Sequence, residues 1–493
     1  MTAVGDREID VVALLARLNA RPKGITSDSR AVTPGLAFAA YPGRARDGRQ
    51  FIADAVDRGA DAVLWEAEGF KWDPALSTPN HGVDGLRQKL GPIADFIYGS
   101  PSKSLWMVGV TGTNGKTTCT QWIAQALIEG GRRAAVLGTL GNGFPGELES
   151  APNTTPDAAL LQQTLARMKA KGADVVAMEV SSIGLEQGRV NGVDFDVALF
   201  TNLSRDHLDY HGTMAAYGAE KAKLFGWSTL STVVINTDDD FGKSLADRIR
   251  GRRARTLTYG MAGAEISVGT LAHTASGLAL GIHTPWGPGQ FETAVVGSFN
   301  VMNLLGTLGV LLASDVTLAD AVTRMAKLEP PAGRMERFGG GRKPLVIVDY
   351  AHTPDALGQV LNAMRSRVAN GASLVCLFGA GGDRDPGKRP EMGRVAASLA
   401  DRVIVTSDNP RSEDPTAIAM AVAQGVIAAG NRHWILEIDR AKAIAKTIAG
   451  AQAGDVIVIA GKGHEPYQEA AGVRTPFSDA AHAKAALAAR GGE

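Results

Sequence analysis

Short apolar runs alternate with amphipathic stretches along most of the chain. Continuous apolar runs of this length are the mark of strands buried on both faces of a parallel sheet. They predict strands at Leu36 to Tyr41, Asp61 to Trp65, Leu105 to Val110, Asp174 to Val180, Val197 to Thr201 and Val233 to Asn236. A second series follows at Leu345 to Asp349, Leu374 to Phe378, Val403 to Thr406 and Val456 to Ile459. Between them the period lengthens to that of a helix, near Gln50 to Arg58, from Thr117 to about Glu129, and over Pro156 to Lys171. The last opens on a helix start signal, Thr155-Pro156-Asp157, and lines Leu160, Leu161, Leu165 and Met168 along one face. Strand and helix in alternation predict an α/β protein with largely parallel sheets.

Two stretches break the pattern. From Phe70 to Gly91, Pro, Trp, Gly and Asp interrupt any period, which predicts loop with a short helix. Segment 260–295, rich in Gly and Thr, predicts a β-rich insertion. Boundaries near Pro101-Ser102 and at Pro330-Pro331-Ala332-Gly333 divide the chain into three expected domains, 1–102, 103–331 and 332–493. The length, 493 residues, and a hydrophobic content of 45% suit that number of packed cores.

Charge removes some function classes. Lys plus Arg and Asp plus Glu are both 51, so no global field gathers nucleic acid or an anionic membrane, and anion recognition must be local. The two cysteines, Cys119 and Cys376, are far apart in apolar segments and support neither a disulfide framework nor a thiolate zinc site. The first ten residues carry Asp6, Glu8 and Asp10 without an apolar signal core, and no apolar run approaches the roughly 20 residues that span a bilayer. A cytoplasmic protein is expected.

The clearest chemistry follows the strand at Leu105 to Val110, where Thr111 leads into Gly112-Thr113-Asn114-Gly115-Lys116-Thr117-Thr118 and then a helix. Glycines let backbone N–H groups converge on a phosphate, and the helix N-terminus adds partial positive charge. Lys116 suits β- and γ-phosphate oxygens, and the Thr117 hydroxyl suits magnesium. Val110 stands where the longer form of this loop has its first glycine, so this is the shorter GxxGK[ST] form. ATP is the expected nucleotide.

Glu179 ends a strand, at the sheet edge where α/β proteins gather ligands, although a capping carboxylate would look the same. Segment 201–212, Thr-Asn-Leu-Ser-Arg-Asp-His-Leu-Asp-Tyr-His-Gly, is dense in ligand-type side chains. His207 and His211 read equally as metal ligands or structural hydrogen-bonders, since magnesium prefers oxygen.

These motifs, with Glu179-Val180-Ser181-Ser182, resemble those of the Mur ligases, and the likeness runs from about Ser27 to Asp479. The resemblance implies a central mononucleotide-binding domain, a small N-terminal α/β domain and a Rossmann-like C-terminal domain. It implies an ATP-dependent amide ligase of peptidoglycan precursor synthesis, of the type that adds the third residue of the stem peptide through an acyl phosphate. Thr117 and Glu179 would hold one magnesium, His207 would help hold a second, and Lys221 would be carboxylated; a plain helix-surface lysine is the alternative. Asn300 and Asn303 match an adenine-contacting segment, though buried Asn could equally cap a helix, and Arg334 and Asp349 match the residues that close over ATP. His352 lies near the phosphates or serves structure.

For the UDP-N-acetylmuramoyl-L-alanyl-D-glutamate substrate, the resemblance implies Ser27, Ser29, Arg44, Ala45 and Arg46 at the nucleotide end. It implies Asn153, Thr154, Thr155, Ser181, Gln187 and Arg189 at the dipeptide. The family usually has a histidine where this chain has Ile183. Asp408-Asn409-Pro410-Arg411 is similar to the motif of members that add meso-diaminopimelate, with Arg384, Gly461 and Glu465 as further contacts. A guanidinium grips the second carboxylate that lysine lacks, whereas the four residues alone would also make a β-turn. A monomer is expected. A lysine-adding ligase, a folylpolyglutamate synthase and a non-catalytic nucleotide-binding regulator are the competing readings.

Overall fold

The computed structural model describes residues 9–44, 46–151, 153–274 and 277–490. Of the expected site residues, Ala45 lies outside them. The chain packs as two compact units, one of Met1–Asn202, Ala215–Ile266 and Gly306–Arg324, the other of Leu203–Met214, Ser267–Leu305 and Met325–Glu493.

The first unit opens with a four-stranded parallel sheet, Gly24–Thr26, Leu36–Ala40, Ala62–Glu66 and Asn80–Val83, in chain order. Alternation across these strands sends Ile25, Ala37 and Leu64 to one core, with Leu14, Leu18, Leu90 and Ile93 from two helices. Phe38 and Val63 face a second core with Ile52. The stretch 70–91 differs from the sequence expectation. It holds strand Asn80–Val83 and the start of a twelve-residue helix, Leu86–Ile97, that carries Pro92 inside it. Burial of Leu86, Leu90, Ile93 and Ala94 on one face outweighs the breaker signal, and Gly91 lets the helix press against the backbone of Asn191.

The larger sheet of this unit runs Arg255–Gly260, Thr232–Asn236, Val197–Phe200, Trp106–Thr111, Val175–Glu179 and Ala134–Gly138, all parallel. An antiparallel edge, Gly141–Phe144 and Glu147–Glu149, completes it. Trp106–Thr111, the first of these strands in sequence, sits in the middle, so the connections leave it in opposite directions and open a crevice at its carboxyl end.

In the second unit, antiparallel strands over 267–293 bear out the β-rich reading of segment 260–295. A six-stranded sheet runs Glu336–Gly339, Leu345–Asp349, Val456–Ala460, Leu374–Phe378, Arg402–Val405 and Trp434–Leu436, parallel except for the first. Helices Pro354–Arg365, Lys388–Leu399 and Pro415–Ala428 cover one face, and Arg440–Ala449 with Asp479–Ala489 the other. Among the described residues no helix is long and apolar enough to cross a membrane.

Candidate active site

The parallel register aligns Val110 with Glu179 and Thr111 with Phe200, so three strands end at one level. From there Gly112 turns with φ +149, and a Cβ on it would meet Thr201 Oγ1 at 1.9 Å. Only glycine fits that approach. The neighbouring strand end then clamps the loop. Asn202 O accepts from Thr113 N at 2.9 Å, Asn202 Oδ1 from Asn114 N at 2.9 Å, and Thr201 Oγ1 donates to Asn114 O at 2.6 Å. Lys116 opens helix Lys116–Glu129 and folds back, its Nζ 2.9 Å from Gly112 O and 2.8 Å from Thr113 O. These bonds brace the loop beside a helix N-terminus, a position that favours phosphate.

Next to it, the buried Glu179 carboxylate accepts from Thr117 Oγ1 at 2.9 Å, Thr139 N at 2.8 Å and Thr139 Oγ1 at 3.1 Å. Thr154 Oγ1 lies 3.0 Å from Thr139 Oγ1, and Thr155 Oγ1 donates to Glu179 O at 2.9 Å. Ser181 N donates to Thr155 Oγ1, and Arg189 reaches Thr155 O at 2.7 Å while gripping Gln187 Oε1. Lys221 is 1% exposed, which removes the surface-lysine alternative. Its Nζ donates to Gly112 O at 2.8 Å and lies 4.3 Å from the Tyr217 ring centroid.

The second unit gathers its polar loops at the carboxyl edge of the six-stranded sheet. Asp349 is buried; burial raises its carboxyl, while the Arg334 charge and N–H donors from Met335 and Ala351 lower it, and the net shift is upward. Arg334 stacks over Tyr350, 4.5 Å from the ring centroid. Asn409 Nδ2 donates to Glu465 Oε2 at 2.7 Å, and Lys462 Nζ reaches Asn409 Oδ1 at 2.9 Å. Gly461, with φ +111, has no room for a Cβ, which would lie 2.5 Å from Asp408 Oδ2. Arg411, with φ +53, donates to Gly382 O at 2.5 Å, and Arg384 donates to Asp383 O at 3.1 Å. Among the described residues neither guanidinium has a carboxylate within ion-pair distance, whereas Arg389 holds Glu413 and Arg440 holds Asp479.

His207 also lies in this unit, with φ +52 and its Nε2 3.5 Å from Asp206 Oδ2; His352 Nε2 is 3.9 Å from the same oxygen. Burial raises the Asp206 carboxyl, but the charges of His207, His352 and Lys388 together hold it well below the usual carboxylate range. Crowding around its ring, then the Lys388 charge, pushes His352 down to about 4, although 38% of its side chain stays accessible.

Known protein families match three stretches of the chain. Residues 21–98 match "Mur ligase family, catalytic domain", 110–311 "Mur ligase middle domain" and 333–463 "Mur ligase, glutamate ligase domain". The chain belongs to the Mur ligase family. It is 50% identical to the UDP-N-acetylmuramoyl-L-alanyl-D-glutamate--2,6-diaminopimelate ligase of Chromobacterium violaceum, over 97% of each chain. It is 53% identical to the ligase of the same description from Ectopseudomonas mendocina, over 94% of this chain and 95% of that one. A solved structure of a ligase so described is 39% identical, with a TM-score of 0.68 and 95% of both chains covered.

Gly112 to Thr118, Glu179 and Lys221 come together in one unit, with Thr154, Thr155, Ser181, Gln187 and Arg189 around them. Asp408, Asn409, Pro410, Arg411, Gly461, Glu465 and Arg384 come together in the other. Asn300 and Asn303 are buried and bond locally, Asn300 to Val296 O at 2.8 Å and Asn303 to Asn300 Oδ1 at 2.9 Å, as helix-start residues do. Ser27 Oγ donates to Asp157 Oδ1 at 3.3 Å and Ser29 is buried, while Arg44, Arg46 and Asn153 are exposed. Ile183, half-buried, sits in the short helix Ser182–Glu186 that Ser181 caps.

Sequence reading assigned no role to Thr139, Asn202 or Lys462. Thr139 follows strand Ala134–Gly138, whose short alanine-rich run carries little strand signal, and only the sheet order brings it to Glu179. Asn202 and Lys462 stand two residues past strand ends, inside recognised motifs, which is a usable signal.

Proposed function

We propose that this Mur ligase joins meso-diaminopimelate to UDP-N-acetylmuramoyl-L-alanyl-D-glutamate, with ATP as the energy source. The γ-phosphoryl group of ATP passes to the free carboxylate of the D-glutamyl residue, giving an acyl phosphate. The amine of diaminopimelate attacks the acyl carbon, and phosphate leaves. A carboxylate is a poor acylating agent, and phosphorylation converts its oxygen into a good leaving group. Closure over the bound substrates would keep water from the acyl phosphate.

The donor set fits a magnesium ion, a hard cation that takes one or two carboxylates together with phosphate oxygens. Thr117 and Glu179 would hold it with a carboxylated Lys221, and His207 would contribute to a second. Bound there, magnesium would neutralise charge on the transferring phosphoryl group. Lys116 would pair with the same phosphate oxygens, and the helix N-terminus would receive the phosphates. Asp349 would take the ribose, Arg334 would close over ATP, and Asn300 and Asn303 would meet the adenine. Ser27, Ser29, Arg44, Ala45 and Arg46 would bind the uridine end, with Asn153, Thr154, Thr155, Ser181, Gln187 and Arg189 on the dipeptide.

One observation carries the choice of acceptor. Arg411 and Arg384 make no ion pair within 4 Å among the described residues, although both charges help lower the Asp383 carboxyl, and they lie in the loop cluster that holds Asp408 and Glu465. Such a guanidinium suits the carboxylate at the far end of a diacid, and a site left without that partner rejects lysine. The test is phosphate release with the UDP-muramyl dipeptide, comparing diaminopimelate with lysine. Release with lysine alone overturns the reading. A monomer in the cytoplasm, where nucleotide-linked precursors are made, completes the proposal, and light scattering tests the oligomeric part.

A further inference from the structure

Lys462 is fully buried, just past the end of strand Val456–Ala460. Its Nζ donates to Asn409 Oδ1 at 2.9 Å and to Glu465 Oε2 at 3.0 Å, and stands 3.9 Å from Asp408 Oδ1. Asn409 returns a bond from Nδ2 to the same Glu465 oxygen, at 2.7 Å, and its Oδ1 also accepts from Glu469 N at 3.0 Å. The ammonium therefore closes a ring of three side chains. A flipped Asn409 amide would set NH2 against both the ammonium and the Glu469 N–H, so only one orientation survives.

Charge adds to this. A buried ammonium is retained only where anions match it. Lys462 pairs with Glu465 at 3.0 Å, while Lys388 acts on Asp408 and Arg440, itself held by Asp479, acts on both carboxylates. Resting on the acceptor reading above, we propose that Lys462 is a positioning residue of the acceptor site, holding Glu465 and Asn409 in the orientation that receives an acceptor ammonium. Burial, then the Asp408 charge, raises the Glu465 carboxyl, and Lys462 opposes that rise; the Arg440 charge also reaches Glu465.

The experiment is steady-state phosphate release by the full-length enzyme, with each substrate varied in turn, for wild type and Lys462→Met. The expected result is an acceptor KM raised about tenfold or more, with kcat at saturating acceptor changed by less than about threefold and both other KM values unmoved. The raised KM should fall as pH increases, because the carboxylate that has lost its ammonium ionises later. Should Lys462→Met not fold, Lys462→Gln, which keeps a donor toward Asn409 without the charge, gives the same reading. An acceptor KM equal to wild type, or a common rise in all three KM values, overturns the proposal. Wild-type enzyme inactive with diaminopimelate overturns the acceptor reading instead, so the two failures are distinct.

Discussion

Thr117 Oγ1 donates to Glu179 Oε1 at 2.9 Å, joining the first turn of the helix after the phosphate loop to the end of a strand 62 residues away. Two hard oxygens are thereby held side by side next to the loop. Glu179→Gln keeps the shape and one acceptor oxygen but removes the charge. Phosphate release should fall about 10²-fold or more, with the magnesium concentration for half-maximal rate moving upward. A magnesium titration of the variant at saturating substrates checks this, and an unchanged half-maximal concentration contradicts it.

Lys116 Nζ sits within the loop, donating to Gly112 O and Thr113 O, so its removal takes away the charge offered to phosphate. Lys116→Ala is expected to have no measurable turnover. Its Tm without nucleotide should match wild type, while the upward shift that ATP and magnesium give the wild type should shrink. Thermal melts with and without nucleotide read both outcomes.

Arg411→Ala removes the guanidinium offered to the diacid while leaving the Asp408 and Glu465 carboxylates in place. The kcat/KM for diaminopimelate should fall by about 10²-fold, and the preference over lysine should narrow by a similar factor. Competition between the two amino acids in one reaction, with the products separated by mass, measures the preference directly.

Arg440 and Asp479 are both fully buried and paired at 2.7 Å. Arg440 also holds Ala460 O and Ser407 O, where the loops of Gly461 and Asp408 leave the sheet. Breaking such a pair from one side leaves a buried charge without its partner, so Asp479→Ala should cost about 3–5 kcal/mol in urea unfolding. A loss under about 1 kcal/mol would mean that the pair contributes little.

The two thiols give a pH prediction. Both cysteines are buried, and burial disfavours the thiolate, pushing Cys119 up to about 12 and Cys376 higher still. At pH 8 the folded protein should therefore resist alkylation by iodoacetamide at both positions. In denaturant both thiols return toward the ordinary range of about 8.5 and react. Mass spectrometry of native and unfolded samples distinguishes the two states.

Much of this was legible in the chain itself. Apolar runs long enough to be buried on both faces identified the core strands of the two larger sheets, and the loop at Gly112 announced itself because phosphate binding needs glycine, lysine and a helix start in one short window. Diffuse signals failed. Helix Leu86–Ile97 was hidden by Gly91 and Pro92, because its stability comes from tertiary burial of Leu86, Leu90, Ile93 and Ala94 rather than from propensity. Strand Ala134–Gly138 was missed because its small residues carry strand preference only once neighbours pack on them.

The sequence by itself determined the alternating α/β architecture and singled out the glycine-rich loop at Gly112 and the Asp408–Arg411 motif, since each is written in residues close together along the chain. Tertiary structure alone decided which distant groups share a proton or a charge: Thr139 on Glu179, Lys221 on Gly112 O, and Lys462 between Asn409 and Glu465. Parallel strands bring their carboxyl ends to one edge whatever the length of chain between them, so such contacts depend on strand order and register, which no local pattern encodes.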